Sequence, residues 1–176
     1  MRWLPFQLNP DLPEAGIPRE EYVARKFGAR GKGVNERVTV AGRQVGIAFA
    51  YEKMAVQPNT LNAHRLMSYA EREGRQDELA EELFKAHFTE GANLTERDTL
   101  ASIAARAGLD RKGVSDYLAS DQDRDTIARA DVEARRAGIG GVPFFIFNNR
   151  VGVSGAQDAA VLLDAMEQSL QEQSKD

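Results

Sequence analysis

The sequence predicts an α/β fold in which an all-helical subdomain is inserted between two strand-containing parts. Three observations carry this prediction. Apolar residues recur at the helical spacing of three and four through most of residues 59–138. After Gly138 the spacing changes to about two, which is typical of strands. Shorter apolar segments with proline and glycine breaks precede the helical region, so strand-containing parts are expected on both sides of it.

The part before the helical region is predicted to begin with a strand. Residues 2–8 alternate imperfectly between apolar and polar side chains, and prolines follow, which cannot donate to a strand ladder. Pro18 opens a predicted helix over residues 19–27. A second helix is predicted over residues 34–44, and residues 50–58 are expected to be irregular or extended.

The middle of the chain is predicted to be a series of amphipathic helices. Asn59 or Thr60 is expected to cap the first of them, which ends at Gly74. Thr95 and Asp98 have the spacing of a capping box and precede a helix that ends at Gly108. The remaining helices are predicted over residues 77–89, 112–118 and 123–137.

The C-terminal part is predicted to be a hairpin followed by a helix. Phe144 to Phe147 is continuously apolar, so both faces of this strand are expected to be buried. Asn148 and Asn149 suit a two-residue turn because asparagine tolerates positive φ. The return strand contains Val151 and Val153. Gly155 then leads into an amphipathic helix with an apolar set of Ala160, Leu163, Ala165, Met166 and Leu170.

Composition excludes several classes of function. The chain has 176 residues, 23 Lys and Arg and 27 Asp and Glu, which gives a net charge of −4 and argues against a nucleic-acid partner. No apolar run approaches the roughly 20 residues of a membrane span, and the N-terminus does not resemble a signal peptide. We therefore expect no membrane partner and a cytoplasmic location.

The absence of cysteine limits the chemistry of the chain. With 0 Cys, the chain has no disulfide, thiolate metal site or cysteine nucleophile. The 2 histidines are far apart in sequence and lack metal-ligand spacing, so no metal is expected.

Five segments, in this order along the chain, resemble the DsbA-like thioredoxin superfamily. They are residues 3–10 (WLPFQLNP), 41–49 (AGRQVGIAF), 59–66 (NTLNAHRL), 83–88 (LFKAHF) and 141–157 (GVPFFIFNNRVGVSGAQ). The resemblance is strongest to the branch of FrnE and 2-hydroxychromene-2-carboxylate isomerase. It implies a thioredoxin-like part formed by residues 1–58 and 139–176, with residues 59–138 as the inserted helical subdomain.

The resemblance also implies where a substrate binds. Gly141, Val142 and Pro143 correspond to the family's cis-proline loop, whose backbone pairs with an extended peptide or thiol substrate. The matching segments add Asn9, Asn59 and His64 as candidate substrate-binding residues, although a helix histidine with only a structural hydrogen bond is the alternative for His64. No catalytic residue is expected in this chain.

Family members normally begin with a strand, a Cys-x-x-Cys or serine-containing turn and a helix, and the sequence does not contain these elements. Without them the chain is expected to be a shortened form of a longer protein, or to complete its sheet in another way. A homodimer is one such way.

Three functions remain open at this point. The first is a FrnE-like thiol–disulfide oxidoreductase acting on protein or small-molecule thiols, with no redox activity in this cysteine-free chain. The second is a glutathione-dependent isomerase, in which glutathione is the cofactor and a serine replaces the protein thiol. The third is a non-catalytic peptide-binding or chaperone-like protein.

Overall fold

A computed structural model describes residues 1–28, 33 and 35–173, and its contacts divide the chain into the units Met1–Ala128 and Arg129–Asp176. The helices are α1 (Arg19–Phe27), α2 (Glu36–Gln44), α3 (Leu61–Arg72), α4 (Gln76–Lys85), α5 (Arg97–Arg106), α6 (Arg111–Ala119), α7 (Arg124–Arg136) and α8 (Ala159–Gln173). The strands are β1 (Ile17–Pro18), β2 (Val56–Gln57), β3 (Phe144–Phe147) and β4 (Val151–Ser154). The predicted domain boundaries after residues 58 and 138 stay predictions.

The first unit has its hydrophobic core among α3, α4, α5 and α6. Leu66, Leu79, Leu100, Val114 and Leu118 are all completely buried there. These side chains recur at helical spacing in the sequence, and packing one apolar stripe against another buries them together. The predicted helices of this region are therefore confirmed to within a few residues at each end.

The strand predicted over residues 2–8 is wrong. The Trp3 N–H donates to Gln76 Oε1 over 2.9 Å, and Gln76 Nε2 donates back to the Trp3 carbonyl over 3.1 Å. The Trp3 indole N–H donates to Asp77 Oδ1 over 2.6 Å. Gln76 and Asp77 are the first two residues of α4, so the backbone of Trp3 is paired with a helix side chain and not with a neighbouring strand.

Three smaller predictions also need correction, two in the helical region and one in the part before it. The capping box is wrong, because α5 begins after Glu96 and the Thr95 hydroxyl donates instead to Asn93 Oδ1 over 2.8 Å. The helix predicted over residues 77–89 ends as an α-helix at Lys85 and continues as a π-helical turn, Ala86–Glu90. The helix predicted from residue 34 is observed from Glu36, and residue 34 lies outside the described residues.

The segment expected to be irregular or extended contains a short helical turn and a strand. Tyr51–Lys53 is a 3₁₀ turn, and β2 follows it and pairs antiparallel with β1, with Ile17 opposite Gln57. This two-residue pairing brings the start of α1 next to the segment before α3, where the Arg19 N–H donates to the Ala55 carbonyl over 2.9 Å.

The second unit contains the predicted hairpin and final helix. β3 and β4 pair antiparallel with Phe144 opposite Ser154 and Phe147 opposite Val151. Asn148 and Asn149 have φ of 50° and 56°, which confirms the turn, and the Arg150 N–H closes it onto the Phe147 carbonyl over 3.0 Å.

The predicted burial of both faces of β3 is wrong. Phe144, Phe145 and Phe147 are half-buried, and Ile146 is 45% exposed. The physical reason is that the described hairpin is a two-stranded sheet against which α8 packs, so one layer of structure covers it.

α8 buries fewer of its apolar side chains than the sequence predicts. Ala165 and Ser169 are buried, four residues apart, and the Asn148 amide donates to Ser169 Oγ over 3.0 Å. Leu163, Met166 and Leu170 lie on the neighbouring face and are each about half exposed, at 54%, 47% and 56%.

Candidate functional site

The predicted substrate loop enters the hairpin directly. The Val142–Pro143 peptide bond is cis in the structure, and Pro143 immediately precedes β3. The Gly155 N–H donates to the Pro143 carbonyl over 2.8 Å, which extends the hairpin pairing beyond the ladder. A Cβ atom added at Gly140 or Gly141 would meet no other heavy atom within 4 Å among the described residues.

Val142 is an exposed residue of this loop. Its side chain is 48% exposed. In the described part of the chain its backbone N–H and carbonyl form no hydrogen bond with another residue. Exposed backbone donor and acceptor groups next to a strand edge can pair with an extended chain.

The outer edge of β3 continues this surface. Among the described residues β3 pairs with β4 alone, so its other edge presents unpaired backbone groups. The strand carries no charged side chain between Phe144 and Phe147. Charged residues are a common means of blocking strand pairing at an edge, and β3 lacks that block.

Asn59 joins two of the segments that the sequence analysis singled out. Its Nδ2 donates to the Leu12 carbonyl over 2.7 Å, and its Oδ1 accepts from the Leu61 N–H over 2.9 Å. The Leu12 N–H in turn donates to the Asn9 carbonyl over 3.3 Å. Asn59 therefore holds the start of α3 against the loop that contains Asn9, and both ends of its amide are occupied.

His64 lies one turn into α3 with a half-buried ring, and its N–H donates to the Thr60 carbonyl over 2.9 Å. Of the six predicted binding residues, Asn9 and Asn59 are linked through Leu12 in the first unit. Gly141, Val142 and Pro143 are consecutive in the second unit. The proposed binding roles of all six residues stay predictions.

The residue that follows His64 is the one that sequence reasoning missed. Arg65 is completely buried. Its guanidinium donates to the carbonyls of Gln122, Tyr117 and Ser120 over 2.9, 3.1 and 2.7 Å, and to Asn62 Oδ1 over 2.8 Å. These carbonyls end α6 and begin the turn to α7, so the charge lies at a helix C-terminus, where cations are favoured.

Next to Arg65, Asp123 accepts hydrogen bonds from Arg72 and from the Tyr117 hydroxyl, each over 2.8 Å. Burial, together with the hydrogen bond to Asp123, raises the pKa of Tyr117 to about 12. The hydrogen bonds from Tyr117 and Arg72 hold the pKa of Asp123 below its usual range against the opposing effect of burial. This network is structural, since each of its side chains is bonded to another group of the chain.

The described residues contain no group of three His, Asp or Glu side chains that could hold a metal ion. In the same ranges, no helix is long and apolar enough to cross a bilayer.

A protein-family model described as DSBA-like thioredoxin domain matches residues 1–167. The chain belongs to the DsbA-like thioredoxin domain family. Among solved structures, it is similar to the crystal structure of a probable DsbA oxidoreductase from Streptomyces coelicolor. The two share 26% sequence identity with a TM-score of 0.85, over 95% of this chain and 74% of that one. The search of curated proteins finds no match.

Family membership confirms the predicted DsbA-like thioredoxin fold with its additional helices. It also associates the chain with oxidoreductases in general. Because the sequence contains 0 Cys, no residue of this chain can supply the thiolate that attacks a disulfide.

Proposed function

We propose that this chain is a FrnE-like member of the DsbA family that binds an extended peptide or thiol substrate at Gly141, Val142 and Pro143. The observation that carries the proposal is Val142, whose backbone groups have no partner among the described residues and lie beside the open edge of β3. An extended segment that lies along this edge gains main-chain hydrogen bonds, and its side chains contact the apolar strand.

A second feature supports the FrnE-like branch within the family. The Asn59 side chain bonds the Leu12 carbonyl, and the Leu12 N–H bonds the Asn9 carbonyl, so two of the segments that carry the resemblance are linked through Leu12. The protein would act on thiol or disulfide substrates through its binding surface, while the cysteine-free chain itself has no redox activity.

The experiment is a binding titration with a fluorescein-labelled, cysteine-free peptide rich in Val and Thr. We expect V142D to weaken binding about tenfold, which corresponds to about 1.4 kcal/mol. V161D is the matched control, because Val161 has a similar exposed fraction of 44% against 48% and lies on α8. Equal affinities of V142D and the wild type would contradict the proposal.

A redox assay completes the test. The chain alone should not accelerate the reduction of insulin by dithiothreitol, because it has no thiol to form a mixed disulfide. Turnover by the purified chain would show that a different chemistry operates.

The glutathione-dependent isomerase is kept as a second candidate because the complete absence of Cys suits an enzyme that uses the thiol of glutathione. A ligand that binds the folded state raises the melting temperature with its concentration. Stabilisation by glutathione and not by the peptide would favour the isomerase. Stabilisation by the peptide and not by glutathione would favour the FrnE-like function.

A further inference from the structure

A group of aromatic and polar side chains in the first unit forms a second candidate site, which we call the Arg19 cluster. It consists of Arg19, Phe49, Tyr51, Gln57 and Phe88, all of them half-buried. The rings of Phe49 and Tyr51 are stacked with centroids 5.3 Å apart, and Phe88 lies edge-on to both at 6.0 and 6.3 Å. The cluster is a partly exposed apolar surface with an arginine beside it.

Arg19 has no acidic partner in the described part of the chain. Its Nη1 donates to Gln57 Oε1 over 2.6 Å, and its guanidinium carbon lies 5.8 Å from the centre of the Tyr51 ring. A guanidinium has five N–H donors, and no other side-chain hydrogen bond from Arg19 is present among the described residues. Among the described residues of this unit the other half-buried arginine is Arg124, and it does have a carboxylate partner, Glu14 at 3.2 Å.

Two neutral groups beside Arg19 also have unused hydrogen-bonding capacity. The Tyr51 hydroxyl forms no hydrogen bond with the described residues. His87 is 8% exposed, and its one ring hydrogen bond there is a long contact of 3.4 Å between Nδ1 and the Ala92 carbonyl. Its ring packs against Phe88 at 4.8 Å, on a π-helical turn of the kind that is frequent at functional sites.

The electrostatics of the cluster favour a single negative charge. Burial lowers the pKa of His87, and the nearby charge of Arg19 lowers it further, so the imidazole is neutral. Burial raises the pKa of Tyr51 while Arg19 opposes that effect, so the hydroxyl keeps its proton. Arg19 is then the positive charge that an incoming anion meets, with the Tyr51 hydroxyl as a second donor.

We propose that the Arg19 cluster binds a small aromatic carboxylate. The carboxylate pairs with the free side of the Arg19 guanidinium, which suits its planar geometry, and accepts from the Tyr51 hydroxyl. The planar body of the ligand packs against the exposed parts of Phe49 and Phe88. One arginine without an acidic partner suits a ligand with one carboxylate. A polyanion would be repelled by a chain of net charge −4.

Benzoate is the probe, and benzamide is its neutral counterpart of nearly the same shape. Titration of the ¹⁵N-labelled protein, followed at the Arg19 Nε–Hε and Gln57 side-chain signals, should show saturable binding of benzoate. Benzamide should bind about tenfold more weakly or not at all, because it lacks the charge that pairs with the guanidinium.

The variants separate the contributions of charge and hydroxyl. R19Q should weaken benzoate binding about tenfold, and Y51F about threefold, because the first loses a charged partner and the second one neutral hydrogen bond. R43Q removes the same charge from an exposed position on α2 and should stay within about twofold of the wild type.

Three outcomes would overturn the proposal. They are the absence of saturable benzoate binding, equal affinities for benzoate and benzamide, and equal affinities of R19Q and the wild type. Since R19Q could also disturb the pairing of β1 with β2, R19K serves as a second variant. It keeps the charge without the planar fork, and binding intermediate between R19Q and the wild type is expected.

Discussion

Arg65 shows how much a single residue can determine in this protein. Its guanidinium is completely buried, and carbonyl oxygens and the Asn62 amide satisfy it in place of a carboxylate. A buried cation of this kind is costly without partners, so the α6–α7 turn must keep its carbonyls aimed at Arg65. The same turn places Asp123 at a φ of 62°, an unusual conformation for a residue other than glycine.

Replacement of this arginine should be strongly destabilising. R65M keeps most of the apolar stem but leaves the carbonyls of Tyr117, Ser120 and Gln122 without their donor. We expect a loss of about 3 kcal/mol in the free energy of unfolding, measured by urea denaturation.

R25A is the control for this measurement. Arg25 is exposed and pairs with Glu21 one turn away on α1, and such surface pairs contribute about 0.5 kcal/mol or less. Similar losses for R65M and R25A would mean that the carbonyls around Arg65 find other partners or water.

His87 should make the stability of the first unit depend on pH. Burial holds the pKa of the folded-state imidazole below its ordinary value of 6.5. Above that value both states are neutral, and as the pH falls the unfolded state binds the proton first. Stability contributed by the neutral ring is therefore present above about pH 6.5 and is lost as the pH falls through the folded-state pKa.

The variant H87Q isolates this effect. Between about pH 7.5 and about pH 5 the wild type should lose more free energy of unfolding than H87Q, because the carboxylates titrate in both proteins. Equal losses would show that His87 is not desolvated in the folded state.

At the scale of elements, the hairpin is defined by its turn as much as by its strands. Asn148 and Asn149 both adopt left-handed φ, which matches the twist of the paired strands. The Asn148 side-chain amide also donates a hydrogen bond to Ser169 Oγ on α8 over 3.0 Å. Asn149 forms no such bond among the described residues, so its contribution is chiefly conformational.

Glycine at position 149 should therefore stabilise the hairpin. N149G removes the strain of a side chain at φ 56° and should raise the free energy of unfolding by about 0.5–1 kcal/mol. N35G is the matched control. Asn35 has a φ of −94°, where glycine only adds freedom to the unfolded chain, so N35G should be neutral or destabilising. The reverse order of the two variants would contradict this account.

The elements that the sequence predicts well are those whose periodicity is local. α3 to α6 follow from apolar residues at helical spacing, and β3 with its asparagine turn follows from a period-two segment. The extended segment at residues 2–8 was misread as a strand because its backbone partner, Gln76, is 73 residues from Trp3. No local pattern reveals such a contact.

The candidate sites also divide into residues that a local sequence pattern reveals and residues that only the tertiary structure brings together. Gly141, Val142 and Pro143 are predicted from the sequence because their segment resembles the cis-proline loop of a known family. The sequence gives no sign of the role of Arg65, since an arginine within a helix is normally exposed. Its burial depends on the turn after α6. The Arg19 cluster combines residues from α1, the 3₁₀ turn and the π-helical turn, and only their tertiary packing brings these together.

At the scale of the whole molecule, the protein is a DsbA-like thioredoxin domain whose sequence contains 0 Cys and therefore no thiol. Its helical core is tightly packed, whereas the hairpin unit exposes Ile146, Val142 and one face of α8. Exposed apolar surface beside unpaired backbone is suited to a partner that supplies a strand. This exposed surface is the basis of our proposal that the chain recognises extended substrates.

The most direct measurement of this claim is amide chemical-shift mapping of the ¹⁵N-labelled protein with the cysteine-free Val- and Thr-rich peptide. The account predicts that the largest shifts occur at Gly141, Val142 and the amides of β3, and that they saturate together. Shifts confined to the first unit, or none at Val142 at saturating peptide, would contradict it.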